Sequence, residues 1–163
     1  ELPAALRQAV DAQLQGVALA DLQRASAVLS RRYRAETRDG KWHLSDELAA
    51  YAYLAARLPA TFAAVTSALQ ETAHICDVFS PRTHLDIGAG PGTALWAASD
   101  VWPEIEQSRL LEGSSAIRAV GEKLSAHAPV ADVQWVAADV TTGLKNATAS
   151  DLVTLAYVMD ELK

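Results

Sequence analysis

The sequence predicts an α/β protein, with a helical domain over residues 1–79 followed by a parallel sheet and crossover helices over residues 80–163. Three observations predict it. Up to about Phe79, alanine and leucine are abundant, glycine is sparse, and apolar residues recur at spacings of three and four, the period of a helix with one buried face. After Ser80-Pro81, short apolar runs alternate with helical patterns, the order of parallel strands joined through helices. At the junction of the first such strand and its helix stand Gly88, Gly90 and Gly92, a turn in which backbone can approach a ligand.

Composition narrows the class. With 163 residues, 50% of them hydrophobic and 21% charged, the chain is in the ordinary globular range, which excludes disorder. The single cysteine, Cys76, cannot close an intrachain disulfide, and no Cys/His cluster marks a metal site; both fit a reducing compartment. No apolar run approaches the ~18 residues of a membrane helix, and the first residues lack the basic and apolar regions of a signal peptide. The expectation is a soluble, cytoplasmic protein with no membrane partner. A formal charge of -6 argues against binding nucleic acid over the whole surface, while leaving room for a local basic patch. The chain starts at Glu1 and stops at Lys163 just after a strand-like segment, so a fragment of a longer protein is expected.

The elements follow in order. Pro3 suits the first turn of a helix that ends near Gly16. A second helix from about Asp21 carries Leu22, Ala25, Val28, Leu29 and Tyr33 and stops before the Asp39-Gly40 turn signal. Ser45 is a suitable N-cap for a third, with Asp46 and Glu47 in the first turn, although Leu48 rules out a full capping box. The fourth begins around Pro59 and places Phe62, Val65, Leu69 and Ala73 at helical spacing. Then come a strand over Thr83–Ile87, a helix from Gly92 to about Val101, a strand over Arg109–Glu112, a helix over Ser114–Ala126, and strands over Val133–Ala138 and Asp151–Val158.

The motif that carries chemistry is His84-Leu85-Asp86-Ile87-Gly88-Ala89-Gly90-Pro91-Gly92-Thr93. An acid two residues before the first glycine, where a dinucleotide-binding strand continues apolar, suits a cationic ligand. Thr93 stands where the dinucleotide fingerprint has its third glycine, which disfavours NAD and FAD.

This D-x-G-x-G-x-G pattern resembles the first motif of the class I S-adenosylmethionine-dependent methyltransferases. That resemblance implies the first half of a Rossmann-like sheet, strands one to four in the order 3-2-1-4, incomplete here, and S-adenosyl-L-methionine as cofactor. It implies that Asp86, Gly88, Ala89, Gly90 and Gly92 hold the methionine part, that Glu112 after strand two meets the ribose hydroxyls, and that Asp139 after strand three meets the adenine amine. Leu58-Pro59-Ala60-Thr61-Phe62, the glycine loop with Trp96, and Tyr157-Val158-Met159-Asp160-Glu161-Leu162 together resemble, more narrowly, the methyltransferase-like family associated with the small ribosomal subunit. The narrower resemblance implies action on ribosomal RNA or a binding role in small-subunit assembly, and a cysteine cluster beyond strand four to which Cys76 does not belong.

Bland readings stand beside these. The three acids can solvate strand ends, the glycines can serve a tight turn, Trp96 suits packing, and buried His84 suits a structural role. Arg24, Arg31, Arg32, Arg34, Arg38 and Lys41 concentrate charge in the second helix and its exit that could meet RNA phosphate, yet Arg31, Arg32 and Arg34 spread around a helix rather than along one stripe. Asp160 and Glu161 follow strand four, on the acceptor side, and can equally cap a helix. No Asn/Asp-Pro-Pro-aromatic motif follows that strand, and no general base is assigned. A ribosomal RNA methyltransferase is the leading expectation, with a non-catalytic assembly factor and a small-molecule methyltransferase as alternatives. An apolar strand four at a sheet edge would invite pairing with a second chain or with further sequence.

Overall fold

The computed structural model describes residues 1–34 and 47–157. Helix α1, Ala4–Leu14, follows Pro3 and buries Leu6, Ala9 and Val10. Gly16, at φ 86, ends it in the left-handed region that glycine adopts at little cost. Helix α2, Leu19–Arg34, starts two residues before Asp21, because the amides of Asp21 and Leu22 both bond to the Ala18 carbonyl and so close the first turn earlier. The Asp39-Gly40 turn and the Ser45 cap lie outside the described residues. Helix α3, Glu47–Ala56, and helix α4, Leu58–Ile75, meet at a bend of 60°. Leu58, Phe62, Val65 and Leu69 form the buried stripe of α4, spaced as the sequence periodicity requires. No single helix among the described residues is long and apolar enough to cross a membrane.

The second part alternates β1 (Thr83–Ile87), α5 (Thr93–Val101), β2 (Gln107–Leu111), α6 (Ser115–Ser125), β3 (Asp132–Val136), the short α7 (Val140–Gly143) and β4 (Leu152–Thr154). The four strands form one parallel sheet in the order β3-β2-β1-β4, the architecture expected from the sequence. Strands β2, β3 and β4 differ in their limits from expectation. Strand β2 begins at Gln107 and ends before Glu112, β3 ends at Val136 rather than Ala138, and β4 is three residues long rather than reaching Val158. Ladder pairing sets these limits, not residue preference. Strand β4 finds partners only opposite His84, Leu85 and Asp86, and beyond it Tyr157 takes φ 62, which ends any extended run. Among the described residues β4 pairs only with β1 and forms the sheet edge, where Val153 is 52% exposed.

Strand periodicity sorts the two faces of the sheet. His84 and Asp86 point one way with their register partners Ser108, Leu110, Leu152 and Thr154. On that face one buried cluster joins Leu110 to Leu95 and Trp96 of α5, to Ile117 and Leu124 of α6, and to Leu6, Leu54, Leu58 and Phe62 of the first helices. Helix α4 lies along α5, and α1 and α3 reach α6, so the helices and the sheet share one core. Phe79 meets Trp102 edge to face, ring centroids 5.5 Å apart, where the chain passes from α4 toward the sheet. The opposite face holds a smaller cluster of Leu85, Ile87 and Leu111 with Val140 against it.

Candidate cofactor-binding site

The glycine loop connects the carboxyl end of β1 to α5. Gly88, Gly90 and Gly92 have φ 68, 55 and 87, angles that a side chain would strain. The buried Ala89 donates its amide to the Leu111 carbonyl at 2.9 Å, which ties the loop to β2, and Gly92 closes the turn by donating to the Ala89 carbonyl at 2.9 Å. Around the Gly90 position a Cβ would meet nothing within 4 Å, so open space, not crowding, surrounds that backbone.

Asp86, 2% exposed, lies at the base of this loop. Its Oδ1 accepts a 2.8 Å hydrogen bond from the Thr154 hydroxyl, whereas Oδ2 is buried and has no partner among protein atoms. Burial pushes the carboxyl up to about 7; the Thr154 hydrogen bond opposes that rise and the neighbouring Glu112 charge adds to it. Behind it, His84 sits between Ser108 Oγ and Thr154 Oγ1, at 2.8 Å from each through Nδ1 and Nε2. Burial lowers that imidazole to about 4, so it is neutral at physiological pH. Inside the sheet the ring is buried with both nitrogens hydrogen-bonded, the satisfied surroundings that the bland reading of its sequence position expects.

Glu112 directly follows β2 and is also buried. Its two oxygens accept from backbone amides, Oε2 from Gly90 at 2.6 Å and Oε1 from Ser114 at 2.9 Å. Burial raises this carboxyl too, while the Ser114 and Gly90 amides and the nearby Arg118 work against the rise. Asp86 and Glu112 are thus gathered around one loop. Asp139 instead caps the four-residue α7, its Oδ1 accepting from the Thr142 amide at 2.7 Å and the Thr142 hydroxyl at 2.8 Å. Asp160 and Glu161 lie outside the described residues, as do Arg38, Lys41 and the side chains of Arg32 and Arg34. Of the remaining basic residues on α2, Arg24 pairs with Asp21 and Arg31 donates to the Ala27 carbonyl at 3.4 Å. Among the described residues no His/Cys/Asp/Glu group is arranged to hold a metal.

Sequence reasoning missed three participants. Thr154 and Ser108 carry no motif; only strand register brings them to Asp86 and His84. Gly121, inside α6, had a usable signal, since a mid-helix glycine costs about 1 kcal/mol unless something needs the space. Here a Cβ would stand 2.4 Å from the Trp135 ring and 3.2 Å from the Pro91 backbone. Trp135, anchored by donating to Ser125 Oγ at 2.9 Å, fills that space and also lies 3.4 Å from where a Gly92 Cβ would be.

These residues fit a ligand with a cationic or N–H-bearing end. A buried carboxylate oxygen without a donor is costly, and such a group would satisfy it beside a loop with room for close approach.

Residues 47–163 match the family described as mitochondrial small ribosomal subunit Rsm22. Over 73 residues the chain is 37% identical to the human mitochondrial ribosome assembly protein METTL17, covering 44% of this chain and 16% of that protein. Among the solved structures that align at low similarity are two plantazolicin methyltransferases. The plantazolicin methyltransferase BpumL, in complex with a monoazolic desmethylPZN analog and SAH, covers 81% of this chain and 47% of that one at 15% identity and TM-score 0.44. The plantazolicin methyltransferase BamL, with a triazolic analog and SAH, covers 94% and 48% at 14% identity and TM-score 0.45. The chain spans less than half the length of each of these proteins.

Proposed function

The chain belongs to the Rsm22 family of the mitochondrial small ribosomal subunit, and from that premise we propose that it binds S-adenosyl-L-methionine at the β1–α5 loop and methylates small-subunit ribosomal RNA. One observation carries the cofactor half of this reading: the buried, unpartnered Oδ2 of Asp86 beside three left-handed glycines. Asp86 accepts from the ammonium of the methionine part, and the backbone of Gly88, Ala89, Gly90 and Gly92 comes close because no side chain intervenes. Glu112 accepts from the ribose hydroxyls, its orientation set beforehand by the Gly90 and Ser114 amides. Asp139 meets the adenine amine, at the carboxyl end of β3.

The bound cofactor supplies an electrophilic methyl on a sulfonium, so the protein's task is alignment, exclusion of water and removal of a proton where the acceptor requires it. Asp160 and Glu161 are the acceptor-side candidates. The RNA half of the reading rests on the family and on the name of the human relative. That same name, ribosome assembly protein, favours a second reading in which the chain binds the small subunit, and the cofactor with it, without transferring methyl.

Calorimetric titration with S-adenosylmethionine, with Asp86→Ala alongside, tests the first half. Binding that the variant loses supports it; no binding by a folded protein refutes it. Transfer of labelled methyl to small-subunit RNA by the binding-competent full-length protein separates enzyme from assembly factor.

A further inference from the structure

Four side chains on three strands form an unbroken hydrogen-bonded line under the helices: Ser108, His84, Thr154 and Asp86, linked by three contacts of 2.8 Å. All four are buried, the least so being 8% exposed. Their proton positions follow from what each group can do. Ionised Asp86 only accepts, so the Thr154 hydroxyl must donate to Oδ1. The Thr154 oxygen then accepts from His84 Nε2–H. A neutral imidazole has one N–H, so Nδ1 accepts from the Ser108 hydroxyl. The line has a direction, and Asp86 sets it.

We propose that Thr154 and His84 are positioning residues for Asp86, forming a relay that anchors Oδ1, leaves Oδ2 to the ligand, and reverses its direction when Asp86 takes up a proton. The ligand clause rests on the cofactor reading above. A proton on Oδ2 would be a buried donor with no acceptor, whereas on Oδ1 it points at Thr154 Oγ1. From there Thr154 donates to Nε2, and Nδ1–H donates to Ser108. The four side chains gain one proton, from solvent and held on Asp86, while His84 moves its single N–H from Nε2 to Nδ1 and stays neutral. Because burial holds the imidazole low and the carboxyl high, this exchange falls near neutral pH with His84 uncharged.

The groups acting on Asp86 are few. His84 reaches it through Thr154, β4 contributes the Thr154 hydroxyl, and Glu112 at the end of β2 adds negative charge, with Arg118 of α6 donating to the Glu112 carbonyl at 3.0 Å. On α5 the one titratable side chain, Asp100, is at the far end of the helix.

Nitrogen-15 NMR of the histidine-labelled full-length protein, followed from pH 5.5 to 8.5, reads the tautomer directly. The expected result is a crossover from Nδ1–H to Nε2–H as pH rises, with the midpoint of the Asp86 carboxyl. Thr154→Val abolishes the crossover and Thr154→Ser, which retains the hydroxyl, restores it. An imidazole that keeps one tautomer throughout, or takes a second proton at the Asp86 midpoint, overturns the relay. Affinity for S-adenosylmethionine supplies the second arm. In the native chain it falls roughly tenfold per pH unit below the midpoint. In Thr154→Val that midpoint moves to higher pH, since a hydrogen bond holding the carboxyl down is gone. A merely structural threonine would instead weaken binding equally at every pH, and that result overturns the proposal. No binding at any pH with the crossover intact refutes the cofactor reading and leaves the relay standing.

Discussion

Replacing Asp86 by asparagine should stabilise the folded chain at pH 8 and do little at pH 4.5. The carboxyl ionises near 3.8 in an unfolded chain and near 7 here, with burial as the first cause. Between those values the unfolded state has released a proton that the folded state still holds, so stability falls as pH rises through that window and is level above it. At about 1.4 kcal/mol per unit, the native carboxylate costs about 4 kcal/mol once fully ionised. Asparagine removes that charge and keeps the shape. Its amide brings N–H groups to a position where Oδ2 has no partner, which costs about 1–3 kcal/mol. The net expectation is a gain of about 1–3 kcal/mol at pH 8, shrinking to nothing or a small loss near pH 4.5. Urea denaturation of both proteins at the two pH values measures it. An equal difference between the proteins at both pH values would refute the assignment of Asp86 as a buried acid held at an energetic disadvantage. The same variant should lose affinity for S-adenosylmethionine, the trade between stability and function found where a site keeps a strained group.

Other expectations follow from single contacts. Gly121→Ala should destabilise by about 1–3 kcal/mol, because the added methyl meets the hydrogen-bonded Trp135 ring at 2.4 Å; tryptophan fluorescence would shift as that ring moves, and an unchanged melting temperature would contradict it. Gly90→Ala should cost about 1–2 kcal/mol through its φ of 55 alone, with no steric clash, yet lower cofactor affinity by far more than that strain implies; titration calorimetry beside thermal melts tells the two apart. Asp151 receives the Arg82 and Thr83 amides on Oδ2, at 2.9 and 3.0 Å, which holds its carboxyl below the usual range. Its stabilising effect is therefore complete above the ordinary aspartate value and lost as pH falls through the lower folded one, so Asp151→Asn should flatten that acid limb in a pH series of melts.

The sequence made β1, the glycine loop and α5 legible because the chemistry is local there. Asp86 sits a fixed two residues before Gly88, and every unusual backbone angle in the loop is written as a glycine. The strand order was legible only through family resemblance, and the strand limits were not, since the ends of β2, β3 and β4 depend on which neighbour supplies ladder bonds. Asp86 could be named from its place before the glycines, and Glu112 only through the family resemblance. Thr154 could not, being 68 positions from its partner on a strand with no motif. Asp139 shows the opposite difficulty: one residue type in one place suits both an adenine contact and the helix cap that the fold displays, and spacing does not distinguish them.

The helical segment does more than precede the sheet. Asp86 and its relay face the side that α5 covers, and α5 is in turn roofed by α4 through Leu58, Phe62, Val65 and Leu69. Those leucines and the phenylalanine act as electrical insulation, keeping water's screening away from a carboxyl they are not bonded to. Any change that let water seep between α4 and α5 would make Asp86 a stronger acid and widen the pH range over which it is charged, retuning the site through its wall rather than its ligands.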